Sequence, residues 1–263
     1  MPEGQPLRLY CFPHAGAGVS SFGRWRTVVG AGTEIVPVLL PGRGPRRAEH
    51  RVTDRRALLA DLLRTVGRPP GGPYVLYGHS LGGLIAYTAT RAIQEAGLNP
   101  PALVVVGASP PPDVSAPALS NADLPDDQLV RLLTGFGSVP AGAEPGGVWQ
   151  RFTLPVLRDD LRLARALRDA ADRPIESPLL VLSGRDDPLA GPRTTAGWRH
   201  WSTGPVVERT LPGDHFFVRG RDLPRLLRRA CQVVRRVAEP GPVRARAPQP
   251  AVSRRTAMER DSQ

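Results

Sequence analysis

The chain has 263 residues, 41% hydrophobic and 22% charged, enough for a substantial core and too apolar to be disordered throughout. No apolar run approaches the ~18 residues of a membrane span. The N-terminal MPEGQPLRLYCFP lacks the pattern of a secretory signal and two cysteines make no disulfide framework, so a cytoplasmic location is expected. The net charge of +11 rests on 35 basic residues, all arginine, which beside 30 prolines and 28 glycines marks a GC-rich coding bias.

Taken in chain order, apolar and amphipathic segments alternate. Residues 7–12 (LRLYCF) and 34–40 (EIVPVLL) predict buried strands. Thr53 or Asp54 is placed to cap a helix whose apolar face is Leu58, Leu59, Leu62, Leu63 and Val66. A third strand over residues 73–77 (PYVLY) runs into a helix from Leu81 to about Ala96, stopped at Gly97. Residues 102–107 (ALVVVG) and 178–183 (PLLVLS) predict further strands. Nearly continuous apolar runs of this kind belong to a parallel sheet covered by helices on both faces.

The stretch over residues 109–174 carries no strand pattern, only amphipathic segments near 129–136 and 157–167, and predicts an inserted helical lid. A strand at 206–211 and a helix over about 222–237 complete the domain, expected to span residues 1–239. That helix should turn Leu223, Leu226, Leu227, Ala230, Val233, Val234 and Val237 inward. Residues 240–263, rich in Pro and Arg, are expected to be disordered. The arginines are scattered and aromatics make up only 5%, so no nucleic-acid surface is expected, and no membrane partner either.

Three glycine-rich segments carry chemistry. Gly78-His79-Ser80-Leu81-Gly82 sits between an apolar strand and an amphipathic helix. A serine hydroxyl is a weak nucleophile unless exposed on a sharp turn against a base, and this context supplies such a turn. Phe12-Pro13-His14-Ala15-Gly16-Ala17-Gly18 follows the first strand, where small residues let backbone N–H groups approach an oxyanion. The expected donors are the amides of Leu81 and Ala15. Gly213-Asp214-His215-Phe216-Phe217 places His215 just past the last strand, where a general base belongs in the order Ser, acid, His.

For the acid, Asp187 in Gly184-Arg185-Asp186-Asp187-Pro188 is favoured because Pro188 stiffens its turn; Asp186 and Asp113 are the alternatives. No metal-ligand spacing and no GxGxxG motif occurs, so no bound cofactor or metal is expected.

The FPHAGAG, GHSLGG, GRDDP and GDHFF segments, with PGRGPR at residues 41–46, resemble in this order the stand-alone type II thioesterases of polyketide and nonribosomal peptide assembly lines. The resemblance covers about residues 7–237. It departs from the family's usual Met after the serine and Ala at the end of the motif, where this chain has Leu81 and Gly83. It implies an α/β-hydrolase fold with a helical lid and no cofactor beyond the substrate's own phosphopantetheine arm. Its partners are then acyl or peptidyl carrier domains, with Ser80 as nucleophile, His215 as base and Asp187 as acid. The lid's Leu129, Leu132, Leu133 and Phe136 are expected to meet the acyl chain. An ester hydrolase or lipase, an acyltransferase or cyclase, and an inactive hydrolase-like binding module share the same frame.

Overall fold

The computed structural model describes residues 6–114, 122–135, 137, 139 and 146–238. The tail over 240–263 lies outside them. The strands are β1 (Leu7–Phe12), β2 (Thr33–Pro37), β3 (Tyr74–His79), β4 (Leu103–Gly107), β5 (Leu179–Gly184) and β6 (Val206–Leu211). They form one sheet in the order β2-β1-β3-β4-β5-β6, every neighbouring pair parallel. The helices are α1 (Trp25–Val29), α2 (Arg55–Thr65), α3 (Leu81–Glu95), α4 (Asp126–Gly135), α5 (Val148–Asp169), α6 (Pro192–Thr195) and α7 (Asp222–Ala238).

Side chains alternate across a strand, so each apolar run feeds two cores. Tyr10, Phe12, Leu76, Val104 and Val106 face the layer of α2, α3 and α5, where they meet Leu58, Leu84, Ile85 and Leu163. Leu9, Cys11, Val75, Tyr77 and Val105 face the opposite layer, against Trp25 of α1 and Leu223, Leu227 and Cys231 of α7. Burial on both faces is why these strands read as continuous apolar runs.

The differences from expectation follow from edges and faces. Strand β2 stops at Pro37 rather than residue 40; it is an edge strand, where a residue without an N–H is tolerated. Asp54, not Thr53, caps α2, its carboxylate accepting from the Ala57 N–H at 2.8 Å. Leu63 was expected inward yet is 60% exposed, and on α7 the same holds for Val233 and Val237. Both helices lie flat on the sheet, so only a stripe narrower than the full apolar set is covered. On α7 that stripe is Leu223, Leu227, Cys231 and Val234.

The chain leaves β1 for β2 at one edge and returns to β3 on the other side of β1. The switch in strand order therefore falls beside β1, and the loops at the carboxyl ends of β1, β3, β5 and β6 converge there.

Candidate active site

At the end of β3 the chain turns sharply into α3 through Ser80, whose φ is 55° and ψ −115°. That region is costly for a residue with a Cβ. The turn is held by the Ser80 N–H donating to the Gly107 carbonyl at 2.7 Å and by the Gly83 N–H donating to the Ser80 carbonyl at 2.9 Å. A Cβ on Gly78 would run into the Gly82 carbonyl, and one on Gly82 into the Phe12 carbonyl. The two glycines are thus required by close backbone approach.

The hydroxyl of Ser80 does not cap its own helix but lies 3.1 Å from His215 Nε2. His215 Nδ1 lies 2.9 Å from Asp187 Oδ2. A carboxylate can only accept, so Nδ1 carries the proton and Nε2 presents its lone pair to the serine. All three side chains are buried. Burial pushes the Asp187 carboxyl up, but the hydrogen bond and charge of His215 and the backbone N–H groups of Ala190 and Leu189 outweigh it. Its pKa is held below the ordinary value. Those two N–H groups bond Oδ1 at 2.9 and 2.8 Å and fix the carboxylate's plane. Asp186 points to solvent, and Asp113 accepts from the Trp201 indole at 2.9 Å. Neither reaches the imidazole.

A buried chain holds His215 from behind. Tyr77 Oη is 2.8 Å from His79 Nδ1, and His79 Nε2 is 2.7 Å from the His215 carbonyl. The carbonyl must accept, so His79 donates through Nε2 and accepts from the tyrosine hydroxyl. Burial, reinforced by the charges of His14 and His215, drives the His79 pKa well below the usual imidazole value and keeps this ring neutral.

Leu81 opens α3, and its N–H is one of the first-turn donors that a helix leaves without an internal partner. Ala15 lies in the loop after β1. Its neighbour Gly16 donates its N–H to Asp160 Oδ2 at 2.7 Å. Asp160, on α5 and only 1% exposed, forms a two-pronged ion pair with Arg43 at 2.6 and 2.9 Å. Arg43 also donates to the Ala17 carbonyl at 3.0 Å. The PGRG segment, the glycine-rich loop and the long inserted helix are thereby tied at one point.

Leu129 and Leu133 lie inside the inserted helical layer with Leu154, Leu157 and Leu161, and Ala15 packs against this cluster. Their side chains are enclosed rather than presented on an open face, whereas Leu132 is half-buried. Phe136 lies outside the described residues. Sequence reasoning missed Asp160, Arg43, Tyr77 and the inner role of His79. The legible signal for Asp160 was a carboxylate interrupting the apolar stripe of Leu157, Leu161 and Ala164.

A family model described as "Thioesterase domain" matches residues 7–232. The "Probable cadicidin biosynthesis thioesterase" of Streptomyces griseus is 33% identical over 217 residues, 82% of this chain and 59% of that protein's length. The "Gramicidin S biosynthesis protein GrsT" of Aneurinibacillus migulanus is 29% identical over 213 residues, 81% of this chain and 83% of its own. Among solved structures, "RedJ-Thioesterase from the Prodiginine biosynthetic pathway in Streptomyces coelicolor" superposes with a TM-score of 0.76 at 32% identity, covering 87% of each chain. No helix among the described residues is long and apolar enough to cross a membrane.

Proposed function

The chain belongs to the thioesterase domain family, and on that premise we propose that it hydrolyses acyl groups from the phosphopantetheine arms of carrier domains in polyketide or nonribosomal peptide assembly. The observation that carries the reaction is the buried hydrogen-bonded line from Asp187 through His215 to Ser80.

His215 Nε2 takes the Ser80 proton as Oγ attacks the thioester carbonyl carbon. The N–H groups of Leu81 and Ala15 receive the oxyanion, and α3 adds the positive end of its dipole. Asp187 stabilises the imidazolium without taking its proton. Collapse breaks the C–S bond, and the departing sulfur takes the proton from His215, leaving an acyl ester on Ser80. Water then gives its proton to the same imidazole, attacks the ester, and releases the carboxylic acid as the proton returns to Ser80. A thiolate is a good leaving group, so the single histidine suffices as acid in the first step.

The segment over residues 109–174, with α4 and α5, acts as the lid in this reading. Its contact with the oxyanion loop is direct: Asp160 holds the Gly16 N–H, and Leu157 lies against Gly16. The substrate partner in this reading is an acyl or peptidyl carrier domain.

The test is a pair of matched substrates, an acyl thioester and its oxygen ester, assayed with wild type and Ser80→Ala. Loss of the nucleophile should lower kcat for the thioester by on the order of 10⁶ with the fold intact. A fluorophosphonate should label the wild type once, at Ser80. Retained turnover in the variant, labelling elsewhere, or a clear preference for the oxygen ester would overturn the reading.

A further inference from the structure

On the face of the sheet covered by α1 and α7 lies a cleft of about 840 Å³ lined by Arg24, Arg219, Arg221, Arg225 and Arg228, with no carboxylate in its lining. Its walls come from the loops that carry the reacting groups. His14, the residue before Ala15, contributes to the lining, and Arg219 follows His215 by four residues. The His14 ring packs on Phe216 at 5.2 Å and on His79 at 5.8 Å between centroids, which joins the cleft to the rings beside the triad.

Several arginines outside the cleft are neutralised in place. Arg43, Arg46, Arg51, Arg158 and Arg162 each face a carboxylate. In the cleft, Arg24, Arg219, Arg221 and Arg228 make no ion pair among the described residues. Arg225 has only Asp222, at 3.6 Å on the exposed surface of α7, and Arg219 lies over the Phe216 ring at 4.2 Å. Guanidinium groups lining one cleft repel one another, and an anion among them relieves that repulsion. Their planar forks match the oxygens of a phosphate, and the hydroxyls of Ser20 and Ser21 add donors on the same wall, whereas the Thr27 hydroxyl already donates to the Arg24 carbonyl at 3.0 Å.

We propose that this cleft binds the phosphate of the substrate's pantetheine arm and so recognises phosphorylated over unphosphorylated thioesters. The inference rests on the thioesterase reading above. The phosphate is the arm's one anionic group and stands at the opposite end from the sulfur, so holding it in the cleft, away from the triad, anchors the arm while the thioester reaches Ser80.

One acyl group is presented on pantetheine, on 4′-phosphopantetheine, on coenzyme A and on a carrier domain, to wild type and to the Arg24→Gln/Arg221→Gln/Arg228→Gln variant. In the wild type the phosphate should raise kcat/KM by roughly tenfold over acyl-pantetheine, and less as salt is added. The variant should lose that advantage while its rate on acyl-pantetheine stays unchanged, which also reports an intact fold. Calorimetric titration with 4′-phosphopantetheine and with pantetheine reads the same preference without turnover. If no thioester is cleaved while the binding preference persists, the thioesterase reading fails and the cleft stands. Equal affinity for both ligands in the wild type, or a preference that survives the three substitutions, would overturn the cleft. So would a gain confined to the intact carrier domain, which assigns recognition to its protein surface, or one confined to coenzyme A, which assigns it to the nucleotide phosphates.

Discussion

Ser80 is held in a backbone region that its Cβ disfavours, and the surrounding hydrogen bonds to Gly107 and from Gly83 are what sustain it. The adjacent pair Asp186 and Asp187 shows how one residue's place decides a role. They are chemically identical, yet Asp187 is buried with three hydrogen bonds to its carboxylate, from His215, Leu189 and Ala190, while Asp186 is exposed. Asp187→Asn should leave His215 in the wrong tautomer and lower kcat by about 10⁴. Asp186→Asn and Asp113→Asn should change it only severalfold. Steady-state kinetics of the three purified variants checks this; a crippled Asp113→Asn would move the acid to the loop after β4.

Between elements, the Arg43–Asp160 pair couples the inserted helix α5 to the glycine-rich loop after β1. Removing one partner leaves a buried unpaired charge, so Asp160→Leu should destabilise the fold by about 3–5 kcal/mol. The double variant Arg43→Met/Asp160→Leu replaces both charges by apolar groups and should recover most of that loss. It cannot restore the acceptor for the Gly16 N–H. We therefore expect its melting temperature to return toward wild type while kcat stays about tenfold lower, the worth of one misplaced hydrogen bond at the reacting centre. Recovery of kcat together with stability would reduce the pair to a structural tie.

For the whole molecule, the buried rings of His14 and His79 make stability depend on pH. Burial, followed by the charges of His215 and Arg219, pushes the His14 pKa from 6.5 down to about 3, and burial drives His79 the same way. In the unfolded chain both rings titrate near the ordinary 6.5. Below that pH the unfolded state takes up protons that the folded state refuses, so this contribution is present above about pH 6.5 and is lost as pH falls. Each ring adds a slope of up to ~1.4 kcal/mol per pH unit. Scanning calorimetry from about pH 7 to pH 4.5, above the carboxylate range, should show a falling melting temperature. His14→Gln should flatten that dependence, and an unchanged slope would mean that His14 takes up its proton as readily in the folded protein as in the unfolded chain.

The sequence by itself determined the parallel sheet, because strands buried on both faces must be apolar throughout, and it determined the strand–glycine–serine–helix turn, because few residues permit so tight a bend. The positions brought within hydrogen-bond distance, Ser80, Asp187 and His215, were also legible as strand-end residues in chain order. Tertiary structure decided how much of each amphipathic helix is covered. Leu63, Val233 and Val237 carry the right periodicity but face water, since periodicity marks a face and only the neighbour sets its width. It also decided further partners distant along the chain: Asp160 with Arg43, His79 with the His215 carbonyl, and the five cleft arginines from α1's approach and α7's start. A charge scattered through a sequence has no direction, and only the packing of loops against helices gives it one.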